Sequence, residues 1–253
     1  MQRQQASIDR LRQSARLLIS FRHEQTKPDL FYRLLANDTV RLVGEFHPLC
    51  GASVIDIGGG PGDTSEAFYA FGARPISVDN SWEEMDCRQR DLLGVAAVMA
   101  DGRRLPMSDD SIDVGCCTNV LEHVPQPVEL VTELVRVVRP GGIVFLNYTV
   151  WFSPFGGHEM SPWHLVHGPF GAERRYAAKN GNTPKNRYGE TLFRYDVAEC
   201  LRDAQSIAQA EIVDAFPRYL PRWTRPIVRI PGLREIATLN LAVVLRKRPP
   251  SAT

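Results

Sequence analysis

A glycine-rich turn in the first third of the chain has the residue types and spacing of a ligand-binding loop. It follows a short apolar run and contains Asp56, Gly58, Gly60 and Gly62 in the pattern D-x-G-x-G-x-G. Glycine lets the backbone approach a ligand where a Cβ would collide, and the next helix offers unpaired N–H groups. A dinucleotide-binding loop needs G-x-G-x-x-G, but its third glycine position is occupied by Asp63. The spacing argues against a pyrophosphate cradle and favours a nucleoside that carries no phosphate.

Short β-branched runs alternate with helical stretches from residue 53 onward, which is typical of a parallel sheet with crossover helices. The predicted strands are 53–57, 75–78, 95–99, 112–118, 143–148, 210–216 and 239–245. The predicted helices are 8–25, 29–46, 64–71, 81–94, 128–138 and one that begins at 196. We expect the α/β fold class, with a doubly wound, Rossmann-like, seven-stranded and mostly parallel sheet, N-terminal helices and a lid-like insert after strand five.

The ligand of an open parallel sheet lies at the carboxyl ends of its strands, and further candidate residues fall there. Asp79 closes the second predicted strand, and Asp101-Gly102 follows the third. The stretch 113–124 and the turn Arg139-Pro140-Gly141-Gly142 flank the fourth and fifth. Together with the glycine loop, these segments resemble the motifs of the class I S-adenosylmethionine-dependent methyltransferases, in the small-molecule branch labelled type 11. The resemblance covers residues 50–150 in detail.

This resemblance implies that the cofactor is S-adenosyl-L-methionine. It implies that Asp79 accepts hydrogen bonds from both ribose hydroxyls, an arrangement that suits a carboxylate, and that Asp101 meets the adenine amine. The implied cofactor-binding residues are Asp56, Gly58, Gly60, Gly62, Asp79, Asn80, Asp101, Gly102 and Asn119. Arg22, near the N-terminus, is expected to pair with the methionine carboxylate.

Methyl transfer to an alcohol requires a base that takes the hydroxyl proton, so histidines near the strand ends are informative. His123 follows the fourth strand and is the leading catalytic candidate, with His158 and Glu159 of the insert as competitors. The expected substrate contacts are Tyr148, Trp151, Trp163 and His164. The alternative is a packed surface loop whose aromatic residues join the core. A metal site formed by Glu159, His164 and His167 has little support, so no metal is predicted.

The overall charge is balanced, with 30 basic and 29 acidic residues, so we expect no nucleic-acid partner. Residues 174–194 and 218–234 hold basic clusters, and the second interleaves arginine with apolar residues. That pattern suits peripheral contact with a membrane surface, although its prolines prevent one continuous helix and a solvated surface is the alternative. The cysteines form no C-x-x-C pair, and no apolar run has spanning length. We expect a cytoplasmic protein that contacts the inner face of the membrane.

Four parts are expected within a single domain spanning residues 1–253. They are an N-terminal helical cover at 1–50, a cofactor-binding core at 53–150, a substrate lid at 151–192, and a C-terminal helix and strands at 193–253. The run Pro140-Gly141-Gly142 is expected to separate helix 128–138 from the fifth strand.

The expected activity is S-adenosylmethionine-dependent O-methylation of a small molecule or a lipid-linked glycan. The segment 147–160 is similar to that of actinobacterial members linked to cell-envelope glycolipid metabolism, which favours an envelope acceptor. Two alternatives stay open. One is a carbon, nitrogen or carboxyl acceptor, as in quinone or fatty-acid methylation. The other is a non-catalytic, cofactor-binding partner that regulates an envelope complex.

Overall fold

The computed structural model describes residues 28–86 and 94–250, and these form a seven-stranded sheet flanked by helices. The strands are β1 (Ser53–Ile57), β2 (Arg74–Asp79), β3 (Ala96–Met99), β4 (Ile112–Thr118), β5 (Val138–Thr149), β6 (Ala210–Pro217) and β7 (Asn240–Lys247). Their order is β3-β2-β1-β4-β5-β7-β6, and β7 runs antiparallel to both of its neighbours. The predicted Rossmann-like, mostly parallel sheet is confirmed.

Helices cover both faces of this sheet and connect its strands. They are α1 (Pro28–Gly44), α2 (Asp63–Ala70), α3 (Trp82–Asp86), α4 (Pro127–Val137), α5 (Trp163–Asn180), α6 (Val197–Ser206) and α7 (Leu233–Ala237). Short 3₁₀ helices span Leu121–His123, His158–Met160 and Arg222–Arg229. No described helix is long and apolar enough to cross a membrane. The predicted helix at 8–25, Arg22 and residues 87–93 of the predicted helix 81–94 lie outside the described residues.

The central strands are buried on both faces, which explains why they are continuous apolar runs. Successive side chains of a strand point to opposite faces, so β1 contributes Val54 to one core layer and Ile55 to the other. The fifth strand does the same with Phe145 and Leu146. The strand order reverses between β1 and β4, and the carboxyl ends of these two strands therefore border the crevice where such sheets bind ligands.

The predicted break between the fourth helix and the fifth strand is wrong. The fifth strand follows α4 directly, and the Pro-Gly-Gly run lies inside it. Ile112 pairs with Val138 whereas Val114 pairs with Ile143, so the run forms a bulge of extra residues. A bulge tolerates proline because the proline has no N–H to give to a neighbouring strand.

The segment 151–192 is less irregular than the sequence predicted, because α5 occupies its middle. Gly168 and Pro169 kink this helix and hide its periodicity from sequence inspection. The segment has a small core of its own, formed by Trp151, Met160, Ala172 and Leu192. Part of the aromatic content of the segment is therefore used for packing.

Candidate functional site

The glycine loop connects β1 to α2 at the reversal point of the sheet. The Gly58 N–H donates to Val78 O at 2.8 Å, which ties the loop to the end of β2. Gly58 has a φ of 68°, and a Cβ at this position would overlap Val120 Cγ2 beyond the end of β4. Gly62, with a φ of 91°, lies immediately before α2. Glycine is thus required both by backbone conformation and by the closeness of the next strand.

The carboxylate of Asp79, at the end of β2, is held in place by backbone donors. Its Oδ2 accepts from Gly60 N–H at 3.0 Å, and its Oδ1 accepts from Ser81 N–H at 3.0 Å. Each carboxylate oxygen can accept more than one hydrogen bond. The side chain is therefore oriented while it keeps lone pairs for a ligand in the adjoining cleft.

A single cleft brings together residues of the predicted cofactor set and the leading acceptor-side residue. Its walls include Gly58, Asp79, Asn80, Asp101, Gly102 and His123. Apolar side chains that include Ile57, Val78 and Leu130 also line it. A cleft with carboxylates at two strand ends and an apolar floor between them fits a nucleoside, with its sugar and amine recognised by acids and its base by apolar contacts.

Arg103 is a cleft residue that the sequence reasoning did not identify. Its guanidinium binds both carboxylate oxygens of Asp101, at 2.8 Å for the Nη2–Oδ2 pair. The hydrogen bond from Arg103 lowers the pKa of Asp101, so this carboxyl is ionised at neutral pH and can accept from an amine. The sequence signal that could have identified Arg103 is its position two residues after Asp101, which allows the two side chains to pair.

Three other members of the predicted cofactor set lie in or under the loop, outside the cleft wall. Asp56 is fully buried, and its Oδ2 accepts from Ser65 Oγ at 2.9 Å, so it braces the loop against α2. Gly60 and Gly62 shape the loop backbone.

Asn119, at the end of β4, is part of a buried amide cluster. Its φ is 53°, and its Oδ1 accepts from Asn147 Nδ2 at 3.0 Å and from Asn240 Nδ2 at 2.9 Å. Arg218 holds this cluster by donating from Nη1 to Asn147 Oδ1 at 2.7 Å. The sequence reasoning missed Arg218, Asn147 and Asn240, because only the folded sheet brings the ends of β4, β5 and β6 to the start of β7.

The ring of His123 is fixed by a backbone carbonyl of the segment 151–192. His123 Nδ1 lies 2.6 Å from Thr191 O. A carbonyl oxygen only accepts, so this hydrogen bond requires the proton on Nδ1 and leaves the lone pair of the neutral ring on Nε2. His123 therefore presents a basic nitrogen next to the cleft.

Two further polar residues lie behind His123. Glu122 is 2% exposed, and its Oε1 accepts from Thr149 N–H at 2.9 Å. His158 packs edge-on to His123, and burial lowers its pKa to about 3, so its ring is neutral. Burial raises the pKa of Glu122, and the positive charge of a protonated His123 would oppose that effect. One potential ligand atom from each of Glu122, His123 and His158 lies within 4.8 Å of the other two.

The remaining predicted acceptor-side residues do not line the cleft. Tyr148 is buried in the core, and its hydroxyl donates to Asp196 O at 3.0 Å. Asn186 Nδ2 contacts both carboxylate oxygens of Glu159, at 3.0 and 3.1 Å. Trp151 lies in the small core of the segment 151–192, against the ring of His164.

Two exposed aromatic side chains of α5, Trp163 and His167, pack against each other. Trp163 stacks on His167 with ring centroids 5.6 Å apart, and the Arg175 guanidinium lies over the Trp163 ring, 4.0 Å from its centroid. His164 is buried and its Nε2 lies 3.0 Å from Trp151 O. Among the described residues, Glu122, His123 and His158 are close enough together to hold a metal ion, whereas His164 and His167 do not form such a group.

Comparison with known proteins gives close relatives and one matching family model. The model described as "Methyltransferase domain" matches residues 55–146. An uncharacterised methyltransferase of Mycobacteroides abscessus is 44% identical over 94% of this chain and 95% of its own length. One from Mycobacterium tuberculosis is 44% identical over 93% of this chain and 94% of its own.

Solved structures support the fold. An S-adenosylmethionine-dependent methyltransferase from Mesorhizobium loti aligns with a TM-score of 0.57 and 18% identity, covering 83% of this chain and 96% of that one. The [4+2]-cyclase SpnF aligns with a TM-score of 0.55 and 18% identity, covering 85% of this chain and 82% of its own. At such identities the likeness concerns the fold alone.

Proposed function

Because the chain belongs to the S-adenosylmethionine-dependent methyltransferases, we propose that it methylates a hydroxyl oxygen of a small molecule or of a lipid-linked glycan of the cell envelope. The family and the fold imply S-adenosylmethionine, which supplies an electrophilic methyl group when bound. The observation that carries the proposal is the shared cleft, whose walls hold Asp79 and Asp101 together with His123.

On the cofactor side, the oriented carboxylate of Asp79 is suited to the ribose hydroxyls, and the ionised Asp101 to the adenine amine. Gly60, where a Cβ would meet no atom within 4 Å, leaves room for the ligand along the backbone of the loop, and Gly58 lets the loop pack against Val120. Asn119 lies at the end of β4, next to Val120 of the cleft wall, so we place it near the methionine end of the cofactor.

On the acceptor side, an alcohol attacks well only when its proton is lost as it reacts. His123 is the group at the cleft wall that can promote this loss, with Glu122 and His158 directly behind it. A hydroxyl acceptor therefore explains this chemistry better than a carboxylate, which is already ionised at neutral pH. The segment 151–192 supplies both His158 and the carbonyl that fixes His123, which supports a role for it as the cover of the acceptor.

Replacement of the two histidines tests the acceptor-side assignment. We expect His123→Ala and His158→Ala to lower turnover at least about a hundredfold, the lower end for a group active in proton transfer. Affinity for S-adenosylhomocysteine, measured by calorimetry, should stay within about twofold. His167→Ala is the matched control, since His167 lies on the exposed surface of α5 against Trp163. Unchanged turnover in both His123→Ala and His158→Ala would count against a hydroxyl acceptor.

The acceptor itself can be found by comparing metabolites and lipids of a deletion strain with those of its parent by mass spectrometry. The proposal expects accumulation of a hydroxylated species that is one methyl group lighter than its normal counterpart. Accumulation of an unmethylated quinone or free fatty acid would identify the alternative acceptors. Cofactor binding with no labelled product in any extract would favour the non-catalytic partner.

A lipid-linked acceptor agrees with exposed apolar side chains near the C-terminus. Trp223 is 79% exposed and Ile236 is 68% exposed, and Arg229 is exposed between them in sequence. This composition suits the interface of an anionic membrane. We expect sedimentation with phosphatidylglycerol vesicles, reduced in Trp223→Ser/Ile236→Ser, and no sedimentation with neutral phosphatidylcholine vesicles. Equal sedimentation of the variant and the parent protein would contradict this surface.

A further inference from the structure

The geometry points to a divalent-cation site formed by Glu122, His123 and His158, with Zn²⁺ as the best-matched ion. The site lies beside the cofactor cleft because His123 forms part of the cleft wall. Its existence follows from the three side chains alone, whereas its role in activating the acceptor rests on the proposed function.

The donor set and its spacing suit such an ion. One ligand atom from each residue lies within 4.8 Å of the other two among the described residues. Two imidazoles and one carboxylate, with a fourth position left open, form a set that catalytic zinc sites use. Zinc holds nitrogen and oxygen ligands at about 2.1 Å, so tetrahedral ligands lie about 3.4 Å apart. The three atoms lie within 4.8 Å of one another, so each pair must approach by no more than about 1.4 Å to reach that separation.

Two of these residues carry buried polar atoms with no partner. Neither Glu122 Oε2 nor His158 Nε2 has a hydrogen-bond partner within residues 28–86 and 94–250, and both atoms are shielded from solvent. Buried polar atoms without partners are rare and require an explanation, because their desolvation is not compensated. A cation bound at about 2.1 Å needs less space than a water hydrogen-bonded at about 2.8 Å. It would satisfy both atoms at once.

The groups around the three ligands have the arrangement of an outer coordination shell. Metal-bound histidines usually donate their second ring N–H to a carbonyl or carboxylate, and bound carboxylates are themselves hydrogen-bonded. His123 Nδ1 contacts Thr191 O at 2.6 Å, and Glu122 Oε1 accepts from Thr149 N–H at 2.9 Å. These bonds leave Nε2 of His123 and Oε2 of Glu122 for the ion.

His158 adopts a backbone conformation that is uncommon outside glycine, although histidine tolerates it better than most residues. Its φ is 49°, in the left-handed region that favours glycine. Strain of this kind persists where the surrounding structure requires it, and such places are often functional sites. Here the strained residue places its ring against that of His123.

The open fourth position defines how the ion would act on an alcohol. The acceptor oxygen would occupy it, and the cation would make the hydroxyl more acidic so that its proton passes to solvent. The acceptor oxygen would then form a bond to the methyl carbon while the carbon–sulfur bond breaks. The electron pair of the broken bond would remain on sulfur and neutralise the sulfonium. No oxidant or reductant is needed.

Binding of the metal alone tests the site. Tag-free protein, treated with EDTA and dialysed, is titrated with CoCl₂ and ZnCl₂. We expect one Co²⁺ per chain with the visible spectrum of a tetrahedral ion, displaced by Zn²⁺. Glu122→Gln, which keeps the acceptor for Thr149 N–H, and His158→Ala should each weaken binding at least about tenfold. His167→Ala should bind like the parent protein.

Activity measurements separate this inference from the proposed function. We expect EDTA-treated protein to lose at least about tenfold in turnover and to recover it with one equivalent of Zn²⁺. Full turnover in the metal-free protein would overturn the inference and leave His123 as a direct base, with methyl transfer intact. Equal metal binding by His158→Ala and His167→Ala would overturn it as well. Failure of the proposed function would instead appear as absent methyl transfer with metal and cofactor both bound.

Discussion

The imidazole of His158 lies edge-on to that of His123, with ring centroids 5.0 Å apart and 63° between the ring planes. His123 ends the turn after β4, whereas His158 belongs to the segment after β5. The proposed acceptor-side histidine pair is therefore assembled from two parts of the chain, one that follows a strand of the sheet and one in the insert. Under the proposed function, changes in the insert are expected to alter the acceptor side without disturbing the strand ends that carry Asp79 and Asp101.

Gly58→Ala should weaken cofactor binding, because it adds a steric clash to the cost of a left-handed backbone at a residue other than glycine. The new Cβ would overlap Val120, so the loop must move away from the end of β4. We expect about 2–4 kcal/mol of destabilisation, which combines the left-handed backbone with overpacking, and at least about tenfold weaker binding of S-adenosylhomocysteine. Urea unfolding and calorimetry measure the two effects.

Gly181→Ala provides the matched control for this prediction. Gly181 ends α5 with a φ of 75°, and a Cβ there would meet no atom within 4 Å. It should cost about 1–2 kcal/mol in stability and leave cofactor affinity unchanged. If both alanine variants lose the same stability and both bind the ligand normally, the close approach of Gly58 to Val120 is not needed for cofactor binding.

Asp79→Ala should lower affinity for S-adenosylmethionine and for S-adenosylhomocysteine alike. Hydrogen bonds to a charged group contribute about 1.5–3 kcal/mol each, so loss of even one should weaken binding about tenfold to about 160-fold. Asp109→Ala is the control, because Asp109 is an exposed acid that pairs with Arg136 away from the cleft. Calorimetric titration of both variants decides the matter, and an unaltered dissociation constant for Asp79→Ala would refute its role in binding.

The grouping of the proposed cofactor-binding residues in one cleft could be predicted from the sequence because these residues lie at strand ends. Asp79 and Asp101 each follow an apolar run directly, and parallel strands bring their carboxyl ends to one edge of the sheet. The glycine spacing determines the loop in the same local way. Knowing the strands was therefore nearly sufficient to place these residues together.

The acceptor side depends on contacts that no local pattern encodes. Glu122 and His158 lie close together only because of the course of the segment 151–192. The kink at Gly168 and Pro169 interrupts the helical periodicity of this segment, so its course could not be predicted from the sequence. Tyr148 looked like a candidate for substrate contact because aromatic residues are common in such sites, but the pleat of β5 turns it into the core. Side-chain direction and long-range packing decide these cases, and both depend on the complete fold.

Glu133→Gln should reduce stability at neutral pH and much less in acid. Arg136 donates to both carboxylate oxygens of Glu133, and Leu105 N–H donates at 2.7 Å, which anchors the loop that carries Asp101. The hydrogen bonds from Arg136 lower the pKa of Glu133 despite partial burial. The folded chain thus binds this proton more weakly than the unfolded chain does. The stabilisation is present above the unfolded pKa of about 4.3 and is lost as the pH falls through the lower folded pKa.

Urea unfolding at pH 7 and at about pH 3 measures this effect. We expect Glu133→Gln to cost about 1–2 kcal/mol at the higher pH, with the difference from the parent protein shrinking at the lower one. Glu129→Gln, an exposed residue of the same helix, should change stability little at either pH. A difference for Glu133→Gln that is constant with pH would show that the carboxylate charge is not the cause.

Arg218→Met should be among the most destabilising single substitutions in the chain, because it removes a buried charge from a network of polar partners. The Arg218 side chain is 0% exposed. It donates to Asp38 Oδ2 at 3.1 Å and to Thr39 Oγ1 at 2.6 Å on α1, and to Asn147 on β5. Removing one member of such a network leaves the others buried without compensation, at a cost of about 3–5 kcal/mol.

Arg222→Met is the matched control, since Arg222 is half exposed and pairs with Glu45 at the surface. It should change the free energy of unfolding by no more than about 1 kcal/mol. Because Asn147 donates to Asn119, Arg218→Met should also weaken binding of S-adenosylhomocysteine, measured at a temperature where the variant is folded. Equal stability losses for the two methionine variants would mean that the buried network does not hold α1 to the sheet. A normal ligand affinity in a destabilised Arg218→Met would confine its role to that attachment.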